Sequence, residues 1–367
     1  MYSIQNLNKK IFNGHVLDEL KKFPDESIDC VITSPPYWAL RDYDTSPQIW
    51  DANESCKHIW GDDLKIRQSG GSGKHTTGGA PSKGLWFENH SNFCSKCSAW
   101  RGSLGLEPDF NLYIQHLIQI FNEIKRVLKK NGSCWINIGD SYSASGGSGK
   151  NDSSSNKYVI NTVPHKSKDL PPKCLCQIPE RFSIAMTDNG LVKRNTIIWH
   201  KPNSMPQSVK DRFTVDFEYF YFFTKNKNYY FEQQFEEYSK SMNRWGGQKL
   251  KADGQSMWDD GTGQSTYRQR DMRPNDEGKN KRTIWSINTE PYKEAHFAVF
   301  PERLVITPIQ AGCPKDGIVL DPFAGSGTTL LVAEKLGRQW VGIELSSKYI
   351  KLAQKRIKIE TQQMKLY

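Results

Sequence analysis

Apolar residues along the chain form short β-prone runs separated by stretches with helical spacing, a pattern that predicts an α/β fold. Several runs are apolar at consecutive positions, as expected of strands buried on both faces of a sheet. These runs occupy residues 28–32, 133–138, 196–199 and 318–320. Residues 113–128 instead repeat apolar side chains at helical spacing, which predicts an amphipathic helix. We expect the basic residues 129–130 and Gly132 to end that helix.

Beyond these elements the chain contains one aromatic run and three polar stretches. Residues 218–223 predict a strand, and we expect residues 225–230 to be its hairpin partner. The polar stretches interrupt the alternation of strands and helices, and each contains residues typical of loops. They are a Gly/Ser-rich insertion at 51–105, a Ser/Gly stretch at 143–156 and an Arg/Gln/Trp-containing region at 231–281.

Net charge, the length of the apolar runs and the cysteine count restrict the classes of protein to which this chain can belong. The chain has 367 residues, a formal net charge of +10 and a sequence pI near 9.0, which favours a polyanionic partner. No apolar run is long enough to span a bilayer, and the polar first ten residues lack the core of a signal peptide. We therefore expect a cytoplasmic protein with no membrane partner. Its eight cysteines are then thiols or metal ligands rather than disulfides.

The first candidate site is the turn Ser34-Pro35-Pro36-Tyr37, which follows the apolar run at 28–32. Prolines end the strand because they cannot donate to a sheet ladder. In an open α/β sheet, such a turn lies at the carboxyl edge, where ligands bind. A hydroxyl, exposed carbonyls and an aromatic ring suit a planar group that carries an NH2. The alternative is a proline-rich turn without function.

The second candidate site is the sequence from Asp321 to Thr329, which joins a buried strand to a helix through a glycine turn. Gly325 and Gly327 would let the backbone approach a ligand closely. The next strand stops on Glu344, an acid suited to a ribose diol. A nicotinamide or flavin site is the rival interpretation. The third glycine of that motif is absent, because Leu330 occupies its position, and the unit lies at the C-terminal end of the chain.

Both turns resemble motifs of one family, the DNA methyltransferases that modify exocyclic amino groups. Ser-Pro-Pro-Tyr resembles motif IV, and Asp-Pro-Phe-Ala-Gly-Ser-Gly-Thr-Thr resembles motif I. The catalytic turn precedes the cofactor turn, which is the order of the β group. The resemblance implies a Rossmann-like, S-adenosylmethionine-dependent methyltransferase sheet with circularly rearranged motif order and an inserted target-recognition segment. The Cys/His residues of the insertion, described below, add a zinc-knuckle-like segment to this fold. The resemblance implies these cofactor-binding residues: Asp321, Pro322, Phe323, Gly325, Gly327, Thr328 and Glu344, with His296, Phe300 and Pro301 resembling motif X.

The resemblance also implies catalytic roles for Ser34, Pro35, Pro36 and Tyr37. The Ser34 hydroxyl and the carbonyl next to Pro35 would accept hydrogen bonds from an amino group, and Tyr37 would stack on a flipped base. In this family Ser-Pro-Pro-Tyr usually goes with cytosine-N4 and Asp- or Asn-Pro-Pro-Tyr with adenine-N6. We expect N4-methylcytosine as the product, with adenine-N6 as the alternative. A DNA-binding protein without catalysis is a more distant alternative.

The insertion carries a candidate metal site. Its flanks contain Cys56-Lys57-His58 and Cys94-Ser95-Lys96-Cys97, and Cys56, His58, Cys94 and Cys97 together offer four N/S donors for a tetrahedral Zn²⁺. A metal would hold together an insertion that otherwise lacks a core. Three reduced thiols and a histidine are the alternative, and His90 could compete as a ligand.

These observations divide the chain into segments with separate roles. Arg and Gln can read base edges in the major groove, but a solvated polar loop is the alternative interpretation of the region after residue 232. The resemblance implies a target-recognition segment here, because the family places a variable recognition region between the last core strand and the cofactor half. The predicted partner is double-stranded DNA, and relatives of this type suggest a cognate restriction endonuclease, a homodimer and a prokaryotic or phage origin. The predicted segments are a catalytic half (1–55), the Cys/His insertion (56–105), the rest of the catalytic core (106–232), the target-recognition region (233–281) and the cofactor half (282–367).

Overall fold

A computed structural model describes most of the chain. The described residues are 2–40, 43, 45–67, 86–143, 170–238, 277–290 and 299–364. They form two compact units. The first comprises Met1–Pro35, Phe121–Gly139 and Met186–Tyr367, and the second comprises Pro36–Ile120 and Asp140–Ala185.

Fourteen strands occur among the described residues, and five of them contain the four apolar runs and the aromatic run of the sequence. The first six are β1 Lys10–Asn13, β2 Ile28–Thr33, β3 Gln48–Trp50, β4 Trp60–Arg67, β5 Trp86–Cys94 and β6 Trp100–Gly102. The next four are β7 Leu128–Ile138, β8 Val192–His200, β9 Phe217–Thr224 and β10 Phe235–Glu236. The last four are β11 Lys279–Asn280, β12 Ile284–Ser286, β13 Ile318–Asp321 and β14 Gln339–Glu344.

Seven helices accompany these strands in the described ranges, and none of them is long and apolar enough to cross a membrane. The first four are α1 Ile4–Leu7, α2 Val16–Leu20, α3 Phe110–Val127 and α4 Ile178–Asp188. The last three are α5 Glu302–Gly312, α6 Thr328–Lys335 and α7 Ser347–Met364.

The first unit is built on an eight-stranded sheet in the order β1-β14-β13-β2-β7-β9-β8-β12. Its strands are parallel except β9, which runs antiparallel to β7 and β8. β2 lies beside β13, with Cys30 opposite Val319, although nearly the whole chain separates them. The carboxyl ends of the two strands that precede the candidate turns therefore meet at one edge of the sheet. The expected Rossmann-like α/β sheet is confirmed, and it is mostly parallel.

The sheet is covered closely enough that its central strands have no exposed face. Every residue of β2 and β13 is buried, which explains why their sequences are almost continuously apolar. Trp135 of β7 stacks on Phe222 of β9 with ring centroids 3.9 Å apart. The end of α5 packs against β7 so closely that a Cβ on Gly312 would lie 2.4 Å from the Ser133 Oγ. Gly312 is thus required by packing.

Two local expectations are wrong. Residues 128–132 do not end helix α3 but begin β7, because Leu128 pairs with Ile28 and the Lys129 ammonium binds the Asp29 carboxylate at 2.9 Å. Residues 225–230 are not a strand, and the antiparallel partners of β9 are β7 and β8 instead. In both places, pairing with a strand distant in sequence outweighs the local pattern.

The second unit contains a four-stranded sheet in the order β3-β6-β5-β4. Trp50 and Trp100 are almost fully buried there, and their rings stack on His116 at centroid distances of 4.6 and 5.4 Å. Trp100 of the insertion therefore packs with Trp50 and His116, which lie outside it, contrary to the expectation that the insertion lacks a core. Large rings supply much buried area from few residues.

Asp140 follows the end of β7, where open α/β sheets place ligand-binding residues. Its carboxylate accepts hydrogen bonds from the backbone N–H groups of Gln177 and Ile178, at 3.0 and 3.1 Å. It thereby caps the first turn of α4, whose N–H groups have no partner within the helix. Asp140 has a structural role in this fold.

Candidate cofactor and catalytic site

The glycine turn after β13 depends on backbone conformations that favour glycine. Gly325 and Gly327 have φ of +49° and +78°. A Cβ on Gly327 would lie 2.8 Å from the Cβ of Ala353, so this glycine is required for packing against α7. Among the described residues, a Cβ on Gly325 would have only the Phe323 carbonyl oxygen, at 3.9 Å, within contact range. The backbone at Gly325 is therefore accessible to a ligand, as the sequence predicts.

Glu344 ends β14 and lies directly against this turn. One carboxylate oxygen accepts the Gly325 N–H at 2.8 Å, and the other accepts the Ser346 N–H at 2.8 Å. Burial raises the pKa of Glu344, while these N–H donors oppose the rise. The two hydrogen bonds hold the carboxylate at the edge of the sheet beside the glycine turn.

Asp321 connects the cofactor turn to the strand that carries the catalytic turn. Its carboxylate accepts the Thr33 hydroxyl at 2.7 Å and the Phe323 N–H at 3.1 Å. Thr33 is the residue immediately before Ser34. Ser34 and the buried Pro35 thus leave the sheet next to the strand end that bears Asp321.

Asp321 makes the stability of the protein depend on pH. Burial raises its pKa to about 6 from 3.8, against opposing hydrogen bonds from Thr33 and other donors. Between these values the folded state binds more protons than the unfolded state, so the free energy of unfolding falls as pH rises. The fall reaches about 3 kcal/mol at neutral pH.

We expect Asp321→Asn to remove this contribution, because an amide accepts the Thr33 hydrogen bond without titrating. Urea denaturation of both proteins between pH 4 and pH 7 measures the effect. Over that range the free energy of unfolding of the wild type should fall by about 2.4 kcal/mol more than that of the variant, because pH 4 already lies above the pKa of an unfolded aspartate. If the free energy of unfolding changed with pH by the same amount in the two proteins, Asp321 would not be the titrating group.

The backbone after Pro35 belongs to the second unit and is held there by buried groups. The Tyr113 hydroxyl donates to the Pro36 carbonyl at 2.7 Å, and the Ala39 N–H donates to the Gly105 carbonyl at 2.8 Å. Gly105 has φ of +91°, and a Cβ there would lie 2.9 Å from the Tyr37 carbonyl oxygen. These contacts fix the course of the chain on both sides of Tyr37.

A buried acid supports this loop, and no sequence pattern singled it out. One Glu107 carboxylate oxygen accepts the Gly105 N–H at 2.7 Å, and the other pairs with His116 Nδ1 at 2.9 Å. The Glu107 carbonyl accepts the Trp38 indole N–H at 2.9 Å. Burial raises the pKa of Glu107, and the hydrogen bond from His116 opposes that rise. A single acid after a loop gives no sequence signal, because only the fold shows that its carboxylate is buried between the Gly105 N–H and His116.

The four predicted metal ligands converge in the second unit. The donor atoms of Cys56, His58, Cys94 and Cys97 all lie within 4.8 Å of one another. Cys56 Sγ is 4.0 Å from Cys94 Sγ, and Cys97 Sγ is 3.3 Å from His58 Nδ1. Burial by itself would raise the pKa of the Cys94 thiol, but N–H donors from the following turn and from His58 lower it to about 5. The predicted set is thus a spatial cluster.

The remaining predicted cofactor residues are only partly described. Pro301 is buried and is the N-cap of α5, and Phe300 packs against the core of the first unit. Pro322 is buried and Thr328 begins α6. His296 lies outside the described residues, as do residues 239–276 of the predicted recognition region.

The comparison with protein families decides which family this chain belongs to. A family model described as DNA methylase, of the N6/N4 methyltransferase type, matches residues 28–355. The chain belongs to this family of DNA methylases. The match includes both the Ser34 turn and the Gly325 turn, and S-adenosylmethionine, expected from the resemblance, is confirmed as the cofactor at the level of the family.

Individual relatives support the same assignment. The DNA methylase is 33% identical to the Type II methyltransferase M.SmaI of Serratia marcescens over 95% of this chain and 90% of the relative. It is 32% identical to the Type II methyltransferase M.XycI of Xanthomonas campestris pv. cyanopsidis over 95% and 87% of the two chains. Among solved structures, the cytosine-N4-specific PvuII DNA methyltransferase matches with a TM-score of 0.52 and 17% identity over 94% and 87%. That structural match supports the fold alone.

Proposed function

We propose that this DNA methylase transfers a methyl group from S-adenosylmethionine to the N4 amino group of a cytosine taken out of the duplex. The observation that supports this proposal most directly is the position of Ser34. It follows β2 at the sheet edge where Asp321 binds Thr33, beside the glycine turn. A neutral hydroxyl acceptor at this position favours cytosine over adenine, for which the family commonly uses an acid or amide.

The reaction requires that an unreactive amine be held in a reactive geometry. The lone pair of an aromatic amine is delocalised into the ring, so the amine is a weak nucleophile. The Ser34 hydroxyl and the Pro35 carbonyl would accept its two N–H bonds and favour a pyramidal nitrogen with a directed lone pair. The Pro36 carbonyl is not available for this role, because it already accepts the Tyr113 hydroxyl. Tyr37 would stack on the base.

The turn after β13 fits S-adenosylmethionine, which when bound supplies an electrophilic methyl group. Gly325 offers accessible backbone, and Glu344 offers a carboxylate at the tip of the neighbouring strand. The Ser326 hydroxyl between the two glycines is buried without a hydrogen-bond partner among the described residues, so it could satisfy a ligand atom. We assign cofactor binding to this turn and to Asp321, Glu344 and the Phe300–Pro301 segment.

A methyl group added at Gly325 tests this assignment. We expect Gly325→Ala to weaken S-adenosylmethionine binding about tenfold or more, because the methyl would occupy space needed by the ligand. Gly337→Ala is the matched control. Its φ of +68° imposes the same backbone cost, about 1 kcal/mol, and its Cβ would contact nothing within 4 Å. Calorimetric titration should show weaker binding of S-adenosylmethionine for Gly325→Ala and unchanged binding for Gly337→Ala. An equal loss of affinity in both variants would contradict the assignment.

The base is tested with duplex DNA of varied sequence and labelled S-adenosylmethionine, followed by digestion and mass spectrometry of the nucleosides. N4-methylcytosine is the expected product. N6-methyladenine would keep the fold and mechanism but overturn the cytosine assignment. The absence of any methylated nucleoside, with cofactor binding intact, would favour the DNA-binding protein without catalysis.

The partners follow from charge and from the relatives. A formal charge of +10 suits double-stranded DNA, and we assign target recognition to residues 233–281, which are rich in Arg and Gln. Because M.SmaI and M.XycI are Type II methyltransferases, we propose a bacterial restriction-modification role in the cytoplasm, alongside a cognate endonuclease. A homodimer is the proposed assembly, by analogy with related enzymes.

A further inference from the structure

We propose that Cys56, His58, Cys94 and Cys97 bind one structural Zn²⁺ that secures the base of the β4–β5 hairpin. The methyl-transfer function does not require such a metal, and the proposal rests on the geometry of these four side chains alone. They come from two segments on either side of the hairpin, and together they provide three sulfurs and one nitrogen.

The distances agree with tetrahedral coordination. Zinc bonds to sulfur and nitrogen place two sulfur ligands about 3.8 Å apart and a sulfur and a nitrogen about 3.5 Å apart. The Cys56–Cys94 Sγ separation is 4.0 Å, and Cys97 Sγ lies 3.3 Å from His58 Nδ1. Two cysteines in a disulfide would lie much closer, with sulfurs about 2 Å apart. The cluster thus has the size of a zinc site rather than of a disulfide.

The backbone around Cys94 and Cys97 has the features of a metal knuckle. The Cys94 N–H donates to the Ala99 carbonyl at 2.8 Å, and the Ser98 N–H donates to the Cys94 carbonyl at 2.9 Å. These two hydrogen bonds hold the turn closed, and the Cys94 and Cys97 sulfurs belong to the same cluster of donor atoms.

The second ligand segment is held against this knuckle by the backbone. The Ser95 N–H donates to the Ile59 carbonyl at 2.8 Å, one residue after His58. The Asn53 side chain accepts the Ser55 N–H at 3.0 Å and so orders the turn that leads to Cys56. Both segments are thus positioned independently of a metal, which lowers the entropy lost when the ion binds.

The location explains what the ion would do. β4 begins two residues after His58 and β5 ends at Cys94, so the ligands bracket the whole hairpin. The next strand, β6, starts with Trp100, which stacks on His116 in the core of this unit. All four coordination positions are occupied by protein atoms, so the ion would be structural and would not bind substrate. It would anchor the hairpin to the Trp100–His116 core.

The metal content of the full-length protein tests the proposal without DNA or cofactor. Protein expressed with added zinc and passed through gel filtration should contain about one zinc per chain by mass spectrometry of the metal. Cys94→Ser should reduce zinc to background. Cys174→Ser, which alters a half-buried cysteine outside the cluster, should retain it. Wild-type protein without zinc, or equal loss in the two variants, would overturn the proposal.

Cobalt provides a second measurement that does not depend on the folding of a variant. The wild-type protein, stripped by a chelator and reloaded with Co²⁺, should show intense visible bands of a tetrahedral ion and near-ultraviolet thiolate charge transfer. Added Zn²⁺ should abolish both. Weak bands of an octahedral ion, or no thiolate charge transfer, would reject a site with three sulfur ligands.

Discussion

Ser34→Ala is expected to lower kcat for methyl transfer about 10²–10³-fold while S-adenosylmethionine binds with nearly unchanged affinity. The magnitude is that of removing one preorganised hydrogen-bonding group from a transition state. Cofactor affinity should persist because the glycine turn, Glu344 and Asp321 do not depend on the Ser34 hydroxyl. Single-turnover methylation of a cognate duplex and calorimetric titration of the cofactor measure the two quantities separately.

The control for this variant is Ser3→Ala, which removes an exposed hydroxyl that makes no capping hydrogen bond. It should leave both rate and affinity unchanged. We expect Tyr37→Ala to behave like Ser34→Ala, because stacking positions the base and does not involve the cofactor. A parallel loss of cofactor affinity in the Ser34 or Tyr37 variants would refute the separation of roles between the two turns.

Glu107→Ala is expected to destabilise the protein by about 3 kcal/mol, the largest stability effect we predict for one side chain. The substitution leaves the buried Gly105 N–H and His116 Nδ1 without their partner, and each unsatisfied buried group costs about 1–3 kcal/mol. Urea denaturation at neutral pH measures the loss. Glu123→Ala, which breaks a partly exposed pair with Arg126, should cost about 1 kcal/mol or less.

Activity gives a second measure of the Glu107 network. Gly105 contacts the Tyr37 carbonyl, so loosening its loop should lower kcat even at temperatures where the variant stays folded. Glu107→Gln keeps an acceptor for the Gly105 N–H and should recover much of the stability. If Glu107→Ala is as stable as Glu123→Ala, the carboxylate does not hold this loop.

The conformation of the glycine turn after β13 could be predicted from sequence almost residue by residue. A glycine turn between a buried strand and a helix needs particular residues at consecutive positions, so the requirement is local. Gly325, Gly327 and Glu344 take the backbone and edge positions that their spacing indicates. The Cys/His cluster was predictable for the same reason, because a metal site uses short ligand pairs with characteristic spacing.

Other features depended on contacts between distant segments. The start of β7 at Leu128 follows from pairing with Ile28, which outweighs the helix-ending appearance of residues 129–132. The polar insertion has a core because Trp50 and Trp100 stack on His116, a residue of another segment. Asp140 looked like a ligand-edge residue, yet it caps α4 from a distance.

The sequence by itself determined the family, the mostly parallel sheet, the two turns that the proposed chemistry uses and the four clustered donors. Those features are encoded in short runs whose residue types are set by backbone conformation, burial or ligand chemistry. Only the tertiary structure decided that β2 lies beside β13, that Thr33 binds Asp321 and that Glu107 supports the loop after Pro36. Pairings across hundreds of residues leave no local pattern, because each partner needs only to be complementary to the other.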